Sequence, residues 1–280
     1  MVSRLAGDII FLGFGAPGAW GLVSFFMPSI WLAGGESGMK NKTLYIFLLF
    51  FISFLPFSVV RADIAYDMAD PVFLTKTGDF LSNSNLFFNG NILRMSQKFS
   101  YGFGDRLAVS ADIKYQQDFN GSEDGFSNIG LGGVCRLSGA SGSYGDSKII
   151  SDALLGINFG GTKRVREPEF ADTIYYAGVR VGRQWSRFTL SGTIKTSWIF
   201  DETRGMAYID LIPEAYVRFT DSWMTGVGFD VRKSTNPSFD QEWINMKLVR
   251  QYGRTQYVGH VDYELEIRKW QFGANINILF

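Results

Sequence analysis

The chain of 280 residues has one cysteine, one histidine and seven prolines, and its 27 basic residues are balanced by 27 acidic ones. A single thiol, Cys135, makes no intrachain disulfide and excludes metal sites built on two or more cysteines. No basic patch stands out, so nucleic acid is not an expected partner. No cofactor is expected either. Beyond residue 62 no run of about eighteen apolar residues occurs, which excludes a helical membrane protein for that part of the chain. The hydrophobic content, 46%, does not decide the class, but 16% aromatics and 32 glycines beside so few prolines suit strands joined by tight turns.

The first part of the chain reads differently from the rest. Met39-Lys40-Asn41-Lys42 is a short basic segment, and Leu44 to Val60 is apolar and uncharged. Val60-Arg61-Ala62 then precedes Asp63, which completes the pattern of a secretory signal peptide over 39–62 with cleavage after Ala62. The competing reading is a membrane anchor, since the apolar run is about long enough to span a bilayer. No cysteine stands at the cleavage point, which argues against a lipoprotein. Residues 1–38 are expected to be an upstream extension from a start codon placed too early, with a genuine long leader or a second membrane segment as the alternative. Residues 63–79 are expected to be a periplasmic N-terminal segment.

From about residue 80 onward the period is two. Leu107, Val109, Ala111, Ile113 and Tyr115 alternate with Ala108, Ser110, Asp112, Lys114 and Gln116. Tyr257, Val261, Tyr263, Leu265 and Ile267 alternate with Gln256, His260, Asp262, Glu264 and Glu266. Such alternation puts each set on one face of a strand. The runs are about ten to thirteen residues long, more than soluble sheets need and enough to cross a bilayer at a tilt. The polar face carries full charges, as the lumen wall of a membrane barrel does. Short connections at 104–106, 185–187, 220–222 and 253–255 alternate with mostly longer or more charged ones at 120–125, 160–172, 201–205 and 234–240. This is the expected asymmetry between periplasmic turns and outer loops. Trp185 and Trp223 stand at short turns, while Trp198, Phe200, Phe119 and Phe159 stand at the opposite strand ends, as two interfacial bands would require. The reading is all-β: a transmembrane antiparallel up-and-down β-barrel over 80–280 with about 12 strands, ten being the alternative. The weak points in the count are the hairpin at Asn89-Gly90-Asn91 and the connection from Gly139 to Ser147.

Trp270 to Phe280 closes the chain with Phe272, Ala274, Ile276, Ile278 and Phe280 at alternate positions. This segment resembles the last strand of Gram-negative outer-membrane barrels. The resemblance implies an assembly signal carried by Phe272, Ile276, Ile278 and Phe280. It also implies the barrel-assembly machinery, periplasmic chaperones and outer-membrane lipid as partners, and the bacterial outer membrane as the location.

The lumen-lining candidates are His260, Asp262, Glu264 and Glu266 on one strand face, with Lys247 and Arg250 as neighbouring cations, and Asp210, Glu214, Arg218, Asp230, Arg232, Arg180 and Lys195 elsewhere. Both signs are mixed, so no strong ion selectivity follows. The class includes an outer-membrane phospholipase with a histidine and a nucleophilic serine on one strand. Here Asp262 stands two residues after His260, and the match fails at that point. The expected function is a passive small-solute channel. A non-conducting structural barrel is the second reading and an outer-membrane hydrolase the third, so no enzyme activity is expected.

Overall fold

The computed structural model describes residues 68–280, apart from 122, 128, 140–148, 162–163, 166–167 and 200–204. The signal peptide and the upstream extension lie outside the described residues, as do Phe200 and most of the connection after Gly139.

Among the described residues the long strands are β1 (Phe80–Phe88), β2 (Ile92–Phe103), β3 (Leu107–Asp118), β5 (Gly130–Ser138), β6 (Ile149–Asn158), β7 (Ile174–Gln184) and β8 (Phe188–Ile199). They continue with β9 (Met206–Arg218), β10 (Trp223–Ser234), β11 (Gln241–Tyr252), β12 (Thr255–Glu264) and β13 (Lys269–Leu279). A short strand β4 (Gly125–Phe126) pairs with the end of β3 that β5 leaves uncovered, so β4 and β5 act as one interrupted wall strand. Counting β4 and β5 as one strand, every neighbour in the chain is an antiparallel neighbour in the sheet, and β1 pairs with β13 from Leu81↔Leu279 to Phe88↔Phe272. The result is a closed up-and-down barrel of twelve wall strands, with no free edge to be satisfied in lipid.

The two-residue period explains which face each side chain takes. Val109, Leu155, Ile194 and Leu211 point outward and are exposed, while Asp152 and Asp210 point inward and have no exposed surface. That inverts the usual arrangement of a protein in water, where charges are outside and contiguous apolar surface is scarce. A lipid-facing exterior around a polar interior accounts for it. Strands of nine to thirteen residues are long enough to cross at a tilt. No helix among the described residues is long and apolar enough to cross a membrane.

Both described ends of the barrel wall, Phe80 and Phe280, meet at one end and exchange backbone hydrogen bonds. The turns after β2, β9 and β11 lie at this terminal end, where Gly104 (φ 71°) and Gly253 (φ 59°) supply the left-handed backbone that tight turns require. In outer-membrane barrels the short turns face the periplasm. The connections after β3, β6, β8, β10 and β12 lie at the opposite, loop end. One boundary differs from the sequence pattern. The alternation runs on to Ile267, but Glu264 already pairs with Lys269, so the chain must reverse over 265–268. Arg268 takes a positive φ of 54° there.

Candidate functional site: the lumen

Residues 68–79 do not hang below the barrel. They enter its terminal mouth. Asp70 sits deep in the wall's interior, where its carboxylate accepts hydrogen bonds from Thr189 Oγ1 at 2.7 Å and Gln184 Nε2 at 3.1 Å. Arg136 donates to the Val72 carbonyl at 2.7 Å, and Arg180 donates to that of Phe73 at 3.4 Å. Val72 is fully buried, and Ala69 packs on a cluster of Tyr216, Met224, Val249 and Val258. The wall is cleared to admit this segment. A Cβ on Gly102 would strike the Lys76 carbonyl, and one on Gly182 would strike the Val72 side chain. The signal was present in the sequence as glycines at inward positions, but which partner they made room for was not.

Most lumen charges are matched within the protein. Asp152 takes both Arg136 and Arg180, and all three face inward from neighbouring strands β5, β6 and β7. Asp210 takes Lys195 at 2.8 Å and Arg232 at 2.7 Å. Glu214 takes Lys247 at 3.0 Å. The loop between β6 and β7 folds inward through a four-residue helix, Pro168–Ala171. Its Glu169 meets Lys114 at 3.0 Å and Arg232 at 3.4 Å. The Lys114 ammonium, joined by Arg232 and Lys195, holds the Glu169 carboxyl well below the usual carboxylate range against the opposing effect of burial.

The residues singled out from sequence separate into groups. Lys195, Asp210 and Arg232 form one charged knot, and Lys247 and Glu214 form a pair. His260 Nδ1 lies 3.1 Å from Asp262 Oδ2 on the same strand face. Asp230 lines the same cavity as His260. Glu264 is inward and buried opposite Trp243, and Arg218 is buried opposite Met224 at the end of β9. Glu266 is a correction: it lies exposed in the turn beyond β12, so the run of inward candidates on that strand ends at Glu264. Arg250 is a second correction, since its guanidinium lies over the Trp223 ring at 5.0 Å on the outer face. Phe272, Ile276, Ile278 and Phe280 fall on the outward face of the last strand's register.

Between the inward loop and the barrel wall lies a cavity of about 650 Å³ in the loop-end half of the lumen. Its wall includes Asn85, Asn245, Asn275, His260 and Trp243, with Glu169 facing them from the loop. His260 packs edge-on against Phe87, with ring centroids 4.5 Å apart, in the space that Gly273 leaves open. Among the described residues, Asn85 Oδ1, Asp230 Oδ1, Asn245 Oδ1, His260 Nε2 and Asn275 Oδ1 are buried without a hydrogen-bond partner. The alternation of the last strand places Asn275 inward, but nothing in the sequence singles out Asn85 or Asn245, because an amide at an inward position looks like any polar wall residue.

No family model matches the chain, and no curated protein matches it in sequence. Solved structures do match its fold. The KdgM porin in complex with disordered oligogalacturonate superposes with a TM-score of 0.54 at 8% identity, covering 71% of this chain and 98% of that one. What the two share is the fold of a closed antiparallel β-barrel. The NanC porin gives a TM-score of 0.53 at 8% identity over 72% of this chain and 98% of its own. An outer membrane channel of Pseudomonas putida F1 gives 0.52 at 7% identity over 75% and 98%. The likeness to this outer-membrane barrel is one of architecture: the same wall is built from an almost wholly different sequence.

Proposed function

We propose that this outer-membrane barrel is a porin-like channel for small solutes whose terminal mouth is closed at rest by its own residues 68–79. The observation that carries the reading is the cavity of about 650 Å³ in the loop-end half of the lumen, lined by inward side chains of the wall such as Asn85, Lys114, Asp230 and His260 together with Glu169 of the inward loop. A wall built only for support would gain from filling that space, because cavities cost stability. The likeness to the KdgM and NanC porins supports a conducting role.

The structural-barrel reading has one observation in its favour, the insertion of residues 68–79 with Val72 fully buried. The hydrolase reading would need a hydroxyl on His260 Nε2, and among the described residues that atom has no hydrogen-bond partner.

Planar-bilayer recording of the full chain beside a variant lacking residues 68–79 decides between the first two. The channel reading expects rare, small openings from the full chain and stable open steps from the variant. Silence from both, with both barrels still showing heat-modifiable gel migration, would leave the structural role.

A further inference from the structure

We infer that the outer wall carries two binding sites for anionic phospholipid headgroups on its terminal rim, one at Arg183 with Trp185 and one at Arg250 with Trp223. The inference goes beyond the channel reading and does not depend on it, because it concerns the surface that meets lipid.

The two places are built alike from different strands. Arg183 lies near the terminal end of β7 and faces outward, in step with Val179 and Val181. Its guanidinium carbon lies 5.2 Å from the centre of the Trp185 ring. Arg250 lies near the terminal end of β11, in step with Met246 and Leu248, and its guanidinium carbon lies 5.0 Å from the centre of the Trp223 ring. Register sets Arg250 between Trp223 on β10 and Tyr257 on β12, so aromatic residues flank it on both sides. Both arginines are exposed. Both stand beside short terminal turns, at the height where hydrocarbon gives way to headgroups.

What these arginines lack is a counter-ion. Among the described residues neither guanidinium is ion-paired with a carboxylate, and that includes Asp221 in the turn before Trp223. The opposite rim is arranged differently. Lys233 faces outward at the loop end of β10, and there Glu242 at 3.0 Å and Asp240 at 3.5 Å hold its ammonium. A guanidinium laid over a ring keeps its N–H groups as a planar fork, which fits two oxygens of one phosphate. Lipid supplies that phosphate at the right height. Its acyl chains would lie along Val181 and Val179 at the first site and along Leu248 and Met246 at the second, all of them exposed. Arg187, exposed in the turn beside Trp185, adds positive charge to the first site. A headgroup that carries its own ammonium gains less from such a place than one with net negative charge.

Native mass spectrometry of the full-length barrel, released from detergent containing equal amounts of phosphatidylglycerol and phosphatidylcholine, tests the inference. Two molecules of phosphatidylglycerol are expected to be retained in preference to phosphatidylcholine. Arg183→Gln and Arg250→Gln are each expected to weaken retention about tenfold at one site, the equivalent of one hydrogen bond to a charged group. The double variant should lose the preference. Arg250→Lys should still prefer phosphatidylglycerol, because the charge remains, but bind it more weakly than the wild-type chain. Lys233→Gln removes the same charge where it is already paired, and is expected to change nothing. Heat-modifiable migration reports that each variant is folded. Equal retention of the two lipids, an undiminished preference in the double variant, or an equal loss in Lys233→Gln would each overturn the inference. Displacement of phosphatidylglycerol by millimolar inorganic phosphate would reveal a site for a free anion and overturn it as well.

Discussion

Asn277 and Asn275 both face inward from β13, one residue apart in the strand's alternation, and β1 places Asn83 opposite the first and Asn85 opposite the second. At the terminal end the amides are used. Asn83 donates to Asn277, Asn277 donates to Gln256 at 3.4 Å, and Gln256 donates to Gln251 at 3.1 Å. At the loop end the Asn85 and Asn275 carbonyl oxygens meet no partner among the described residues. The same contrast holds for the lumen as a whole. Its terminal half is filled by residues 68–79 and tied by Asp152 with its two arginines, while its loop-end half is hollow. Pairing of like residues on like strands does not decide whether space is left. What decides it is whether another piece of chain enters.

The terminal half should therefore respond to substitution through stability, and the loop-end half much less so. The largest effect is expected from Asp152→Ala, which leaves the buried Arg136 and the partly buried Arg180 without their shared carboxylate. It should cost about 3–5 kcal/mol, read as a lowered urea midpoint of the heat-modifiable form. Gly102→Val comes next. Its side chain would collide with backbone of the inserted segment rather than with a flexible group, so the segment must leave. Long-lived conducting steps in planar bilayers, together with protease cleavage within 68–79, are the expected result. An unchanged closed state would show that the segment is not the plug.

Asp70→Ala is a milder version. Losing the bonds from Thr189 and Gln184 should favour release by about 1–3 kcal/mol, seen as a higher open fraction without a change in step size. Asn277→Leu should destabilise the folded barrel by about 1–3 kcal/mol, whereas Asn275→Leu should stay within about 0.5 kcal/mol. Equal effects on the urea midpoint would erase the distinction between the halves. The smallest effect concerns pH. Glu169 is held below the ordinary carboxylate range, so its contribution to docking the inward loop is complete above about pH 5 and declines only as pH falls toward that lowered value. Proteolysis of the loop between β6 and β7 should be flat from about pH 5 to 8 and rise only in stronger acid.

Much of the wall was legible because a barrel strand has one job per face. The alternation at 107–116 and 256–264 sets which side chains meet lipid, and no distant contact can overrule it without turning every residue over. The tight turns were legible through Gly104 and Gly253. The reading went astray where the pattern outran the strand: Leu265 and Ile267 keep the alternation going, but the partner register ends at Glu264. The lumen was much less legible. Lys247 stands opposite His260 in register, yet its ammonium reaches across β10 to Glu214, a choice made by the space above Gly226 and Gly228.

By itself, the sequence determined a closed antiparallel barrel with an apolar outside and a charged inside, because period-two alternation over long strands leaves few other ways to bury backbone polar groups in lipid. Tertiary structure alone decided what the inside does. Which charges pair depends on distances across the lumen, and which half stays hollow depends on where residues 68–79 and the loop carrying Glu169 fold back. Neither is written in any local pattern, because both are contacts between segments far apart in the chain.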